Sequence, residues 1–325
     1  MRNRFAKKIT QLASKDDRIV LLSGDIGNRL FDQFKLLCPS SFFNCGVAEQ
    51  NMTGMAAGLA KQGFLPFTYT IAPFCTTRCL EQIKIDIAYH NLPVTVVSVG
   101  SGLSYAGLGP THHALEDISC LRSIPNMRVL NPADSDELDA CLELVVSDPK
   151  PTYIRMGKKG EPLIHNRMIN KIEISNPIPL SRGNDVCLIG SGTILAEVTK
   201  AADLLSKRGV SASVFSLPMI KPLCKDVLTQ QLHDYKVVVI FEEHALAGGV
   251  GSALAELYVD SHVKGTQLLR FGVCDNFYTE SGSQKYARER LGLTAERFAE
   301  QILSKMLGKK NEDIGSNIDA NRQAS

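Results

Sequence analysis

Residues 44–60 read NCGVAEQNMTGMAAGLA, and the rest of the chain is best understood outward from them. Glu49 heads a run of mostly small side chains (Met52, Met55, Ala56, Ala57, Gly58, Leu59, Ala60) in which no further charge appears until Lys61. That composition predicts a helix packed on most sides, whose alanines and glycines let another backbone come close. The helix dipole and the free N–H groups of the first turn favour a carboxylate there, so capping explains part of its placement. Capping does not explain the lack of other charges. A carboxylate in so dry a setting is expected to have a raised pKa, which suits proton transfer. These residues alone leave open both a catalytic carboxylate and a buried cap.

Short apolar runs alternate with amphipathic stretches on either side, the rhythm of a parallel sheet covered on both faces. In the N-terminal stretch MRNRFAKKITQLASKDD, Phe5, Ile9 and Leu12 mark one helical face, and no continuous apolar core of a signal peptide is present. Ile19–Leu22 reads as a strand running into SGDIGNRL, which puts Asp25 at the carboxyl edge of the sheet, where ligands bind. An Asp that merely caps the turn fits the local residues equally well. Ser41–Cys45 is the next strand and delivers Glu49 to the same edge, and Gly63 ends the helix with a left-handed turn. Leu65–Thr70 is a third strand. Pro73 then opens a helix carrying Phe74, Arg78 and Glu81, with a surface Arg78–Glu81 ion pair as the plain reading of the arginine.

Pro93–Val99, β-branched and apolar on both faces, predicts a central strand. It leads into GSGLSYAGLGPTHHALED, where Gly100, Gly102, Gly107 and Gly109 require a close approach to something. His112 and His113 follow, better placed for chemistry than a lone histidine. Met127–Leu130, a helix over Ser135–Val146 and the strand Pro151–Arg155 complete this unit. The guanidinium of Arg155 suits a bidentate anion or a salt bridge between domains.

The chain from Gly157 to Gly183 turns to Lys, Gly, Pro and Asn and reads as a linker. A second βα series follows, with strands at Asp185–Ile189, Ala212–Phe215, Val237–Phe241 and Leu268–Phe271. Its helices are expected from about Ile194 to Lys207, after Pro222, in GGVGSALAELYV and over Thr294–Leu307. The expected fold class is therefore α/β, with two domains, each a mostly parallel sheet flanked by helices in three αβα layers. The expected boundaries are 1–156, a linker at 157–183, a second domain at 184–308 and a disordered tail at 309–325. Glu242, Glu243 and His244 have the look of ligands, but their spacing favours a structural or dimer-contact role. The glycines after them suit close helix–strand packing and lack the spacing of a phosphate loop.

A length of 325 residues, 44% hydrophobic content and 22% charge describe a globular protein with room for two cores. A net charge of +2 with mixed signs offers no stripe for nucleic acid. No apolar run reaches the ~18 residues that span a bilayer, and the expected location is cytoplasmic. Nine cysteines without a Cys-x-x-Cys pair fit reduced thiols rather than a disulfide frame or zinc site.

Read together, GVAEQNMTGMAAGLAKQGFLPFTYTIAPF, RCLEQIK, GLGPTHHALEDISCLRSIPNMRVLNPAD and PTYIRMG resemble, in order and spacing, the pyrimidine-binding domain of the transketolase family. The resemblance covers about residues 1–160 closely and about 183–308, as the family's C-terminal domain, more loosely. It implies a thiamine-diphosphate enzyme in which Glu49 shares a proton with a ring nitrogen of the aminopyrimidine, Asp25 lies beside the thiazolium ring, and Phe74 packs on the pyrimidine. Arg78 and Arg155 also match family positions, Arg155 as a phosphate- or carboxylate-binding residue. His112 would face the substrate, with His113 beside it. The chain departs from the pattern at Ile71, where an aromatic is usual, at Gly100, where many members carry His, and at Leu108, where many carry Asp. The last two changes imply altered donor recognition, since Leu108 cannot accept a hydrogen bond.

The family's diphosphate-binding motif, Gly-Asp-Gly followed by Asn, does not occur in the chain. The resemblance thus implies the C-terminal subunit of a split transketolase. A separate N-terminal transketolase subunit would carry the diphosphate-binding domain and most of the contacts to Mg2+ or Ca2+, and the assembly would be a heterotetramer acting on sugars or sugar phosphates. The β subunit of a 2-oxo acid dehydrogenase E1, a 1-deoxyxylulose-5-phosphate synthase-like enzyme and a non-catalytic regulatory subunit are the competing expectations.

Overall fold

The computed structural model describes residues 1–27 and 29–306. The expected tail at 309–325 and the last residues assigned to the second domain lie outside the described residues. Strands β1 (Ile19–Ser23), β2 (Phe42–Asn44), β3 (Leu65–Ile71), β4 (Thr95–Val99), β5 (Arg128–Leu130) and β6 (Thr152–Met156) belong to the first half of the chain. Strands β7 (Ile178–Ser181), β8 (Val186–Ser191), β9 (Ala212–Ser216), β10 (Met219–Lys221), β11 (Val237–Ala245) and β12 (Gln267–Val273) belong to the second.

One sheet has the order β10-β5-β6-β4-β3-β1-β2 and the other β12-β11-β8-β9-β7. Every pairing is parallel except β10 with β5 and β7 with β9, so each sheet ends in one antiparallel edge strand. The expected α/β class holds, with two mostly parallel sheets flanked by helices. Strand β4 is buried along its whole length and lies in the middle of its sheet, as a β-branched run covered on both faces should. Among the described residues, no helix is long and apolar enough to cross a membrane.

The structure corrects three readings. The helix Glu49–Lys61 buries Met52, Thr53, Ala56, Ala57 and Ala60 but exposes Gln50, Asn51, Met55 and Gly58. A Cβ added at Gly54 or Gly58 would meet nothing within 4 Å, so the small residues expected to admit a close neighbour are open within the single chain.

The helix expected after Pro73 is broken into Ala72–Cys75, a 3-10 turn Thr77–Cys79, Leu80–Gln82 and a π-helical stretch Ile83–Ala88. The hydroxyls of Thr76 and Thr77 donate back to the carbonyls of Ala72 and Pro73 and compete with the helical ladder. Arg78 is thereby turned away from Glu81 and toward Glu49.

The third correction concerns two edge strands. Strand β7 lies inside the expected linker yet pairs with β9, and β10, at the entry to the helix Lys225–Asp234, crosses to the first sheet. Both are short and paired at an edge, so their sequences carry little periodicity. One apolar core runs through both halves, from Val20, Met52 and Val96 to Ile220, Ile240 and Leu254. Each such side chain contributes roughly 1.5–3 kcal/mol by leaving water, so the two sheets form a single packed body.

Candidate active site

The carboxyl ends of β1, β2, β3 and β4 bring the predicted residues to one edge. Asp25 follows β1 with φ 56°, a left-handed conformation that Asp tolerates, and is exposed. Asn44, the last residue of β2, donates from Nδ2 to Asp25 Oδ1 at 2.9 Å and accepts the N–H of Gly46. Three residues beyond Gly46, Glu49 begins its helix with only 3% of its surface exposed.

The dryness expected of Glu49 is present, but its isolation is not. Arg78 Nη1 donates to Glu49 Oε2 at 2.8 Å, and the Arg78 guanidinium lies 4.1 Å from the centre of the Phe74 ring. Gln50 fixes the same segment by donating to the Arg78 carbonyl at 3.0 Å. A Cβ at Gly24 would sit 3.3 Å from both Glu49 Cγ and Thr70 Oγ1, so glycine is what leaves this cleft open. The Thr70 hydroxyl is fully buried and has no hydrogen-bond partner among the described residues. Ile71, at the end of β3, is half-buried.

His112 closes the row from the other side. Its ring is 5.2 Å from that of Phe74 and 6.2 Å from that of Tyr105, and Nδ1 is 2.9 Å from Thr111 Oγ1. Burial pushes its imidazole below the ordinary value of 6.5, so the ring is neutral at pH 7. Lys158 Nζ lies 4.5 Å from the centre of the Tyr105 ring. Glu49, Arg78, Phe74, His112, Tyr105 and Lys158 thus form one continuous line of contacts.

Three predicted residues are not in that line: Asp25, which is held by Asn44 on the same edge, His113 and Arg155. His113 is 4% exposed, with Nε2 3.4 Å from the Ala106 carbonyl and its ring against Tyr278. Arg155 is 2% exposed and is spent within the fold. Its Nε donates to Asp117 Oδ2 at 2.7 Å, and Nη2 donates to the carbonyls of Ala114 at 2.6 Å and Glu243 at 3.0 Å. The anion-binding reading of Arg155 therefore gives way to a contact between domains.

Glu242, Glu243 and His244 are buried at the same junction. Glu242 accepts the N–H groups of Val250 and Gly251, capping the helix Val250–Asp260, and burial pushes its carboxyl up to about 7. Burial likewise pushes His244 down to about 4. A structural role fits all three.

The replacement at Gly100 has a visible counterpart. Gly100 has φ 93°, and a Cβ there would lie 2.2 Å from the Tyr105 ring, which fills that space. Leu108 is 55% exposed on the same loop. Sequence reasoning missed Tyr105, Lys158, Asn44 and Thr70. A lone tyrosine in a glycine-rich loop was the available signal for the first, whereas Lys158 stands in a segment that reads as linker.

The chain matches the family described as transketolase, pyrimidine binding domain, over residues 1–161 and that described as transketolase, C-terminal domain, over 178–298. It is similar to one of the subunits of the apulose-4-phosphate transketolase of Actinobacillus succinogenes, with 33% identity over 266 residues, 82% of this chain and 85% of that relative. It is also 33% identical over 303 residues to 1-deoxy-D-xylulose-5-phosphate synthase 2 of Geobacter sulfurreducens, covering 92% of this chain and 48% of that relative. A solved split-gene transketolase, described as an inactive beta4 tetramer, superposes with a TM-score of 0.84 and 32% identity over 95% of this chain and 98% of that one.

Proposed function

The chain belongs to the transketolase family, and from that premise we propose that it is the C-terminal subunit of a thiamine-diphosphate-dependent split transketolase. It would transfer a two-carbon ketol unit from a ketose or ketose phosphate to an aldose, and only when joined by an N-terminal subunit. The observation that carries this reading is the buried carboxylate of Glu49 at a sheet edge shared with Phe74, Arg78 and His112.

The residues present suit the pyrimidine end of the cofactor. Glu49 offers a dry carboxylate, Phe74 an aromatic wall, Thr70 an unsatisfied hydroxyl, and Gly24 the room between them. Nothing in the chain matches the family's diphosphate motif, so the diphosphate and its Mg2+ or Ca2+ would be held mainly by the partner. Bound at this edge, the cofactor would supply a carbon nucleophile for attack on a substrate carbonyl. Glu49 would hold the proton that a ring nitrogen shares, with Arg78 fixing the carboxylate and Phe74 excluding water from it. Asp25, steadied by Asn44, stands at the same opening. Neutral His112 would take a proton from a substrate hydroxyl at its free ring nitrogen, or donate to a developing oxyanion once charged.

The relative described as an inactive tetramer of β subunits supports self-association and dependence on a second kind of subunit; the assembly proposed for this chain is a heterotetramer. The test is Glu49→Gln in the chain co-purified with its N-terminal partner. Cofactor-dependent turnover should fall by about 100-fold or more while partner binding is unchanged; full activity would reduce Glu49 to a cap. The similarity to a 1-deoxyxylulose-5-phosphate synthase favours one second reading, a pyruvate donor. A donor screen with ketose phosphates against 2-oxo acids separates the two.

A further inference from the structure

The loop that carries His112 is held from behind by the other domain. Glu243 Oε1, on β11, accepts the N–H of Leu103 at 2.6 Å and Nε2 of Gln284 at 2.8 Å. Its other oxygen is paired with Arg288, which also donates to Thr193. Gly102 has φ 56°, and a Cβ there would be 2.4 Å from Glu243 Oε1, so the loop lies directly on this carboxylate. The far end of the loop is tied to the same strand. Arg155 joins the carbonyls of Ala114 and Glu243, and Ala245 N–H donates to the Leu115 carbonyl at 2.8 Å. His112 therefore sits between two attachments, both made to residues 243–245.

We propose that Glu243 is a positioning residue: its buried carboxylate, clamped by Arg288 and Gln284, sets the height of the glycine-rich loop and so the place of His112 beside Phe74. Hydrogen bonds to a desolvated carboxylate are strong and directional, and the 2% exposure of Glu243 makes its bond to Leu103 a rigid one. This rests on reading His112 as a proton-transfer group, and it gives the second domain a part in the reaction although none of its described residues lines the site. A role as mere glue between domains is separable, because Arg122 and Glu256 form another ion pair across the junction that does not touch the loop.

The experiment follows the imidazole titration of His112 by NMR, with labelled histidine in the full chain, together with amide exchange over residues 100–115. In Glu243→Ala, exchange around Leu103 should rise about 10-fold or more, as loss of a buried hydrogen bond implies. The His112 titration should move up toward the ordinary value as water returns. Glu243→Gln, which keeps an acceptor for Leu103, should fall between, and Glu256→Ala should move neither readout. An unmoved His112 in Glu243→Ala, or an equal shift in Glu256→Ala, overturns the proposal. If Glu243→Ala does not fold, Glu243→Gln against Glu256→Ala decides by the same criterion. Neither readout needs turnover or the partner, so this inference can fail while the proposed activity stands, and the reverse.

Discussion

Arg155 and Gly100 show how a side chain's neighbours decide its use. The Arg155 guanidinium has the geometry to grip an anion, yet Asp117, 38 positions earlier in the chain, has taken that place. Tyr153 adds a hydrogen bond to the same Asp117 oxygen. Arg155→Ala should cost about 3–5 kcal/mol in chemical denaturation because Asp117 is left buried and unpaired, and Asp117→Asn in the same chain should recover most of the loss. The KM for a phosphorylated substrate should stay unchanged, with only the apparent kcat following the folded fraction.

At Gly100 two penalties add: a left-handed backbone and the Tyr105 ring. Gly100→Ala should destabilise by about 2–4 kcal/mol, and by about 1 kcal/mol or more less in a Tyr105→Ala background, where only the backbone penalty remains. Glu49 was legible as a buried carboxylate because its helix lacks other charges. Its pairing with Arg78 was not, since that depends on the break at Thr76.

Among the elements, those with strong periodicity were readable and those set by distant pairing were not. The N-terminal helix, the Glu49 helix, β4 and the helix Ser135–Ser147 stand close to where the residues put them. The helix Gln284–Arg290 escaped notice because its polar run QKYARER buries only Ala287.

The segment 157–177 shows a further gain from the structure. Asp134 caps the helix Ser135–Ser147 with Oδ1 and receives the N–H groups of Ile164 and His165 on Oδ2. His165 Nε2 meets Glu137 Oε1 at 2.7 Å. Burial lowers the His165 pKa, but the hydrogen bond and charge of Glu137 outweigh it and the net shift is upward. Such a histidine contributes its full stability below its unfolded value, about 6.5, and loses it as pH rises through the higher folded value. The protection factors of the Ile164 and His165 amides, with the base-catalysed rise of intrinsic exchange removed, should therefore fall above neutral pH, and His165→Gln should flatten that dependence.

At the scale of the molecule, the two halves are not beads on a string. They share one apolar core, the buried junction of Asp117, Arg155 and Glu243, and a strand, since β10 from the second half forms the outer edge of the first sheet beside β5. The alternation of runs and helices revealed two sheets but not this exchange, because three residues from Met219 to Lys221 have no pattern of their own until β5 is beside them. Excising the first domain at residue 183 would strip that border away. The bared N–H and C=O groups of β5 would then be free to recruit a strand from a neighbouring molecule, and the fragment should precipitate where the intact chain stays dispersed.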